Sequence, residues 1–232
     1  MFKAKIMAED SFKKLFSFYS QFKTVNYKRG DIILSPGQVP PGVYFLKRGY
    51  TRLYSVSQEG EDLTMIIYKP NDFFPFMWTI NQTPNIYYLE ALTNTELGIA
   101  PRKEFLAFLK ENVDLAYELT SRILLRFEGL LERMEHLVFG NAYNKVAMVL
   151  SLSAQRFGKK QEDNSIHIPL PLTHKDIASL TGLTRETVSI EMKKLEREGI
   201  ITHTGRQLTV CSLPKVKHAA MLNSSSAKAK LG

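Results

Sequence analysis

Apolar positions change their period along this chain, and the changes divide it. Between about Asn26 and Pro101, short apolar runs at 32–34, 43–46, 53–56, 64–68 and 87–92 alternate with Gly30-Asp31, Pro36-Gly37, Pro41-Gly42, Arg48-Gly49, Glu59-Gly60 and Pro70-Asn71. Runs of about 4–7 residues between such turn formers predict the strands of an antiparallel sandwich or barrel. Two helical turns are expected ahead of it, around residues 9–22.

From about Arg102 onward the period becomes helical. Ile123, Phe127, Leu130, Met134 and Leu137 recur at spacings of 4, 3, 4 and 3. That is a heptad seam of the kind that pairs with a second copy. Beside it, Leu124, Leu131 and Val138 repeat every seven residues. A helix with two such stripes can lay one on its own barrel and offer the other to a partner. The alternative is a helix buried inside a monomer. Glu118, Arg122, Arg126, Glu132 and Arg133 are expected on its wet face, and a dimer is the favoured reading.

A further helix is expected from Asn141 to about Phe157, broken by a polar loop at 158–164 before a short strand at 166–169. Residues 172–199, LTHKDIASLTGLTRETVSIEMKKLEREG, then read as two short helices joined by a glycine turn. Thr173, with Asp176 three residues on, makes a capping box that fixes where the first helix begins. Ile177 and Leu180 supply its buried side, and Ala178 is small enough for a close crossing. Gly182 stands at the turn, where a positive φ is often needed. Thr184 caps the second helix, whose inward face is Val188, Met192 and Leu195. Residues 200–203 and 207–210 flank Thr204-Gly205-Arg206, a hairpin signature. After Leu213 the stretch KVKHAAMLNSSSAKAKLG is small, polar and basic, and is expected to be mobile.

Composition narrows the class. A chain of 232 residues, 44% hydrophobic and 23% charged, is long enough for one large domain or two small ones. No apolar run approaches the roughly 20 residues of a membrane span. The N-terminal stretch MFKAKIMAEDSFKK lacks the sustained apolar core of a secretion signal. Cys211 is the single cysteine and permits neither an internal disulfide nor a cysteine-rich metal site. A cytoplasmic protein is therefore expected. Net charge is +8 and unevenly placed: residues 111–140 hold 3 Lys/Arg against 6 Asp/Glu, whereas 141–232 hold 14 against 7. The basic excess falls mostly on the segment with the two-helix motif, as a phosphate-facing surface requires.

The outward start of the second helix carries the chemistry. Arg185, Glu186, Ser189 and Ile190 stand near its N-terminal end, the part that enters the major groove in a helix-turn-helix. Arg185 can bind guanine O6 and N7 together, and Glu186 can accept from cytosine N4. Each such contact supplies about 1–3 kcal/mol of discrimination. Thr173, Thr184, Thr187 and the free amides at the helix starts suit phosphate oxygens. An ordinary helical hairpin with a charged surface is the bland alternative. Caps, glycine, small residue and exposed Arg-Glu pair coincide here, and together they favour double-stranded DNA.

The order of β-rich domain, long helix and winged two-helix motif resembles the catabolite activator / fumarate-nitrate regulator (Crp/Fnr) family of bacterial transcription factors. TGLTRETVSIEMKKLEREGII is similar to that family's recognition helix, and YKRGDIILSPGQVPPGVYFLKRGYTRLY resembles the opening of its cyclic-nucleotide-binding-like β-roll. The likeness runs from about Asn26 to Leu213. It implies an α+β chain with a β-roll sensor-like domain and N-terminal helices over 1–110, and a dimerisation helix over 111–140. A winged helix-turn-helix over 141–214 and a basic tail over 215–232 would follow. It further implies a homodimer on an inverted-repeat operator near a promoter, with half-sites about 34–36 Å apart and RNA polymerase as a further partner.

Two departures limit the likeness. The family commonly carries a second arginine five residues after the first, where this chain has Ile190. Ile190 could touch a thymine methyl or simply pack, so the operator is expected to differ at one base pair per half-site. Cyclic-nucleotide-binding members hold the phosphate with a Gly-Glu pair and then an Arg-Ser/Thr pair. In NDFFPFMWTINQTPNIYYLEAL, Pro75-Phe76 stand near the first pair and Asn85 or Ile86 near the arginine. A cyclic phosphate would be poorly compensated there, which argues against cAMP or cGMP.

Other sensing chemistries also lack residues. The cysteine cluster of the oxygen-sensing branch is absent, and His136, His167, His174, His203 and His218 show no metal-ligand spacing. His136 reads as a haem ligand or as a polar residue on the long helix. Phe73, Phe74, Phe76, Trp78, Tyr87 and Tyr88 remain. Either Phe74, Phe76, Trp78, Tyr87 and Tyr88 line a pocket for an apolar effector, or the aromatics fill the space a nucleotide takes in relatives. No metal or cofactor is expected, and the effector is unassigned or absent. The rival to a DNA-binding regulator is a small-molecule binding module whose hairpin meets another protein. An enzyme is not expected, since no paired carboxylates, nucleophile–histidine arrangement or phosphate loop stands at a usable spacing.

Overall fold

The computed structural model describes residues 9–204 and 207–221. Internal contacts divide it into two compact units, one ending at Leu124 and the other taking up the chain at Leu125. The first holds α1 (Glu9–Ser20), β1 (Thr24–Tyr27), β2 (Ile32–Leu34), β3 (Val43–Arg48), β4 (Thr51–Val56) and β5 (Asp62–Tyr68). Next come β6 (Phe73–Phe74), α2 (Phe76–Asn81), β7 (Tyr88–Ala91), β8 (Thr95–Ala100) and α3 (Arg102–Glu111). The long helix α4 (Val113–Phe139) begins here. Antiparallel sheets ordered β1-β8-β3-β6 and β2-β7-β4-β5 enclose a common core. Each of the five expected apolar runs is a strand; β1, β6, β8 and α2 are additions.

Strand β3 shows how one segment serves two layers. Tyr44 and Leu46 enter the core between the sheets, beside Leu34, Leu53, Phe74 and Leu89. Their alternates Val43 and Phe45 face outward and meet Leu15 and Tyr19 of α1 and Phe105 of α3. A strand covered on both faces reads as an unbroken apolar run, which is what residues 43–46 are. Tyr19 is fixed by its hydroxyl, which donates to the Val43 carbonyl at 3.1 Å, and by its ring, stacked on Phe45. Between β3 and β4 the chain turns at Gly49 with φ 88°, where a Cβ would come within 2.4 Å of the Asn94 carbonyl oxygen. Only glycine fits that turn.

Leu115 and Leu119 of α4 close the outer cluster, and Ile123 packs against it. Arg122 adds a polar tie: one guanidinium nitrogen lies 2.7 Å from the buried Asp72 carboxylate and the other 2.9 Å from the Asn71 carbonyl. The face of α4 expected to be wet is therefore largely covered, with Glu118 and Arg133 buried. Burial pulls the Arg133 pKa down to about 10. The face left exposed carries an apolar stripe, Leu124, Phe127, Leu131, Met134 and Val138, beside Glu128 and Glu135.

The second unit surrounds α5 (Ala142–Phe157), whose Asn141 cap and Asn144 bond each other reciprocally. Val146, Met148 and Leu150 are buried. Against α5 pack α6 (His174–Thr181), α7 (Arg185–Arg197) and β10 (Ile166–Ile168). With β9 (Lys159–Lys160), β11 (Ile201–Thr204) and β12 (Gln207–Val210), β10 forms an antiparallel sheet ordered β11-β12-β10-β9. Thr204 pairs with Gln207 as the hairpin signature requires; Gly205 and Arg206 lie outside the described residues.

The expectation of a mobile basic tail from 215 is corrected over its first part. Residues Leu213–Ala220 form α8, which packs on α5. Ser212 caps it, a proline stands in its first turn, and Val216, Ala219 and Ala220 are buried. Burying those three outweighs the polar composition; the remainder, 222–232, lies outside the described residues. His136 is also buried, with both ring nitrogens against backbone carbonyls of Glu132 and Ala220. It offers no nitrogen to a haem. No helix among the described residues is long and apolar enough to cross a membrane.

Candidate nucleic-acid interface

The α6–α7 pair is fixed by its own short-range chemistry. Thr173 Oγ1 accepts from the Asp176 amide at 3.2 Å, and the Asp176 carboxylate accepts from the Thr173 amide at 2.7 Å and from its hydroxyl at 2.6 Å. Helix α6 stops at Gly182, whose left-handed backbone (φ 63°, ψ 26°) returns its amide to the Ala178 carbonyl. This is the positive φ that glycine adopts without penalty. Thr184 then caps α7, accepting from the Thr187 amide at 3.2 Å. Ile177, Ala178 and Leu180 on α6 and Val188, Met192 and Leu195 on α7 are buried. The crossing is thereby set, and the outer face of α7 points to solvent.

That outer face is the one the sequence singles out. Arg185, Glu186 and Ile190 are exposed and Ser189 is half-buried. At 56% exposure Ile190 faces outward, so of its two readings the inward-packing one is set aside. Thr184 is exposed, its hydroxyl 2.9 Å from that of half-buried Thr187. Thr173 differs from expectation: its one hydroxyl proton is directed at Asp176, not at solvent. The capping box has taken it.

Sequence reasoning weighed His174 and His203 only as metal ligands and missed where they meet. His174, the first residue of α6, and His203, on β11, stack with centroids 5.7 Å apart and planes 28° apart. Partial burial lowers the His174 pKa most, followed by His203, Arg185 and Lys193; Glu196 opposes. These rings border the α7 face just described. Their positions at the start of the first helix and in the hairpin strand were the available signal.

Residues 24–112 match the cyclic nucleotide-binding domain, and residues 144–219 match the Crp-like helix-turn-helix domain. Over 204 residues the chain is 32% identical to the transcriptional regulator SdrP of Thermus thermophilus, covering 85% of this chain and 94% of SdrP. The chain belongs to the Crp/Fnr family. It is thus a DNA-binding transcription regulator, and α6 and α7 lie within the matched helix-turn-helix segment. The global nitrogen regulator of a Synechocystis species is 30% identical over 190 residues, 79% of this chain and 82% of that protein. A mutant of CooA from Carboxydothermus hydrogenoformans shares the fold, with a TM-score of 0.75 at 21% identity over 94% of this chain and 99% of that one.

In this Crp/Fnr chain the segment set against the family's phosphate-binding pairs by sequence makes contacts within the roll. Pro75 precedes α2 and has no amide to donate. Asn85 is buried, and its side-chain amide donates to the Ser35 and Tyr87 carbonyls at 2.8 Å each. Its own carbonyl accepts from Gly37 at 2.7 Å, so Asn85 clasps two loops together. Arg102 closes the far end of α2, donating to the Thr79 and Ile80 carbonyls at 2.8 and 3.0 Å. The candidate effector residues do not all belong to one cluster. Phe74 sits in the core between the sheets with Tyr87 at its margin, and Trp78 packs in the outer cluster. Phe76 touches both clusters, while Tyr88 stacks on Tyr54 at 5.2 Å. Alternation along β7 sends Tyr88 to the sheet face opposite Leu89.

Proposed function

We propose that this Crp/Fnr regulator acts as a homodimer on inverted-repeat operators, reads them with Arg185 and Glu186, and does so without a cyclic nucleotide. The observation that carries the dimer is the exposed stripe of α4. Val113, Tyr117, Leu124, Phe127, Leu131, Met134 and Val138 are all exposed, Tyr117 at 73% and Val138 at 67%. From Leu124 onward they are spaced 3, 4, 3 and 4. Scattered exposed apolar residues need no explanation, but a continuous stripe at heptad spacing calls for a partner. Phe127 and Met134 of the expected seam belong to it. Leu130 and Leu137 are half-buried at its edges, and Ile123 turns to the roll. The seam is therefore read as Leu124, Phe127, Leu131, Met134 and Val138.

A second copy offers the same stripe about a two-fold axis, and a two-fold protein matches an inverted-repeat site. Independence from cyclic nucleotides is supported by Pro75, by the committed amide of Asn85, and by aromatic side chains that pack into cores. Sedimentation velocity together with binding-site selection, both without added ligand, tests the proposal. A dimer that selects a palindromic site is the expected result. A monomer, or a site recovered only when cAMP is supplied, overturns it.

A further inference from the structure

We propose that His174 and His203 form a binding site for a phosphate of the DNA backbone, and that the site closes by taking up a proton. The two rings come from different elements, 29 positions apart in sequence, and meet face to face at 5.7 Å. In helix-turn-helix docking the first helix crosses the sugar-phosphate backbone while the second enters the groove. His174 opens that first helix, and His203 lies on the hairpin beside it. The inference rests on the reading that Arg185 faces the bases.

The Thr173 hydroxyl and amide are both spent on Asp176, and Arg185 is assigned to a base edge. Lys193 and the free amides at the start of α6 also stand near, and the imidazoles are the donors there whose charge changes close to neutral pH. A neutral ring donates from one nitrogen; a protonated ring donates from both and adds charge to the bond. In the free protein the groups facing His174 are His203 on β11 and Arg185, Lys193 and Glu196 on α7. All but Glu196 oppose a further positive charge there, and they agree with the lowered pKa of His174. A phosphodiester at the edges of the two rings, where their nitrogens lie, reverses the balance, because an opposite charge within hydrogen-bond reach favours the charged ring.

The sign follows from linkage. The bound state holds more protons than the free state, so affinity rises as pH falls through the imidazole range and levels off above it. The slope is at most about tenfold per pH unit for each proton taken up. Phosphate contacts carry no base information, so the same slope holds on random duplex.

The test uses the full chain and a duplex recovered by binding-site selection. Affinity is followed by fluorescence anisotropy at constant ionic strength from about pH 6 to pH 8. Binding heats in buffers of different ionisation enthalpy count the protons. His174→Gln and His203→Gln keep a hydrogen-bonding side chain that cannot charge, and their unfolding transitions confirm an intact fold. Wild type should gain affinity toward acid with measurable proton uptake, and either variant should flatten the slope. A pH-independent wild type overturns the proposal, as does a double variant that keeps the full slope. If selection returns no preferred site, the base-reading role of Arg185 fails by itself. The imidazole pair is then judged by the slope on random duplex.

Discussion

His136 in α4 reaches 84 positions along the chain to the end of α8, its Nε2 2.8 Å from the carbonyl oxygen of Ala220. Its Nδ1 lies 2.9 Å from the Glu132 carbonyl. Both partners are acceptors, so a neutral ring donates to one of them and only the imidazolium to both. Asn144 adds donations to Ala219 at 3.0 Å and Met221 at 3.2 Å. Two side chains thus hold the last carbonyls of α8, the groups that lack intrahelical partners. With the proton on Nε2, replacing His136 with Leu leaves the Ala220 carbonyl without its donor in a buried place and should cost about 1–3 kcal/mol. Urea unfolding measures the loss, and amide exchange over 213–221 should rise ahead of the rest of the unit. An unchanged midpoint with α8 still protected would refute the clamp.

Ile123 and Leu124 are chain neighbours with opposite assignments, which makes them a controlled pair. Ile123 packs against the outer cluster of the roll, and Leu124 is 59% exposed on the proposed seam. Ile123→Ala should lower stability by about 1–2 kcal/mol, less than a fully buried truncation, and keep the dimer mass. Leu124→Glu or Leu131→Glu should place a charge in each half of the pairing surface and shift sedimentation toward monomer. If the two substitutions exchange these effects, the seam has been assigned to the wrong stripe.

Most of the fold was legible because the features that announce it are local. The apolar runs of the roll, the Thr173–Asp176 box, Gly182 and Thr184 each state their conformation within four residues. The exposed stripe of α4 was half legible. Periodicity showed two stripes on α4 but not which one the barrel covers; Ile123 and Leu124 differ only in what lies against them. Strand β8, TELGIA, escaped because Glu96 and Gly98 interrupt its pattern, and Gly98 is there to let the Tyr19 ring approach, a contact between distant segments. The start of α8 was written in Ser212 and Pro214 but lost among basic residues. Asn85 and the His174–His203 stack depend on loops and strands far apart in sequence, which no spacing reveals.

Gly182 isolates a backbone term from a packing term. Its φ is 63°, yet nothing lies within 4 Å of where a Cβ would stand. Gly182→Ala should therefore cost only the left-handed penalty, about 1–2 kcal/mol, with no clash. Gly182→Asn should cost less, since asparagine tolerates that region through local hydrogen bonds. Thermal unfolding ranks the three; an alanine as stable as glycine would mean the turn has found another path.

Arg185 and Ile190 together offer a test of how the operator is read. Both are exposed on α7, five residues apart, with Arg185 nearer the N-terminal end that enters the groove. Removing the guanidinium in Arg185→Ala takes away both donors to guanine O6 and N7. Binding-site selection should then lose preference at one guanine per half-site, worth about 1–3 kcal/mol, while half-site spacing and dimer mass stay as they were. The converse change, Ile190→Arg, supplies a second fork further along the groove. It should convert a position that tolerates thymine into one that prefers guanine. A half-site preference unaltered by both changes would remove α7's outer face from base reading and leave it only a backbone role.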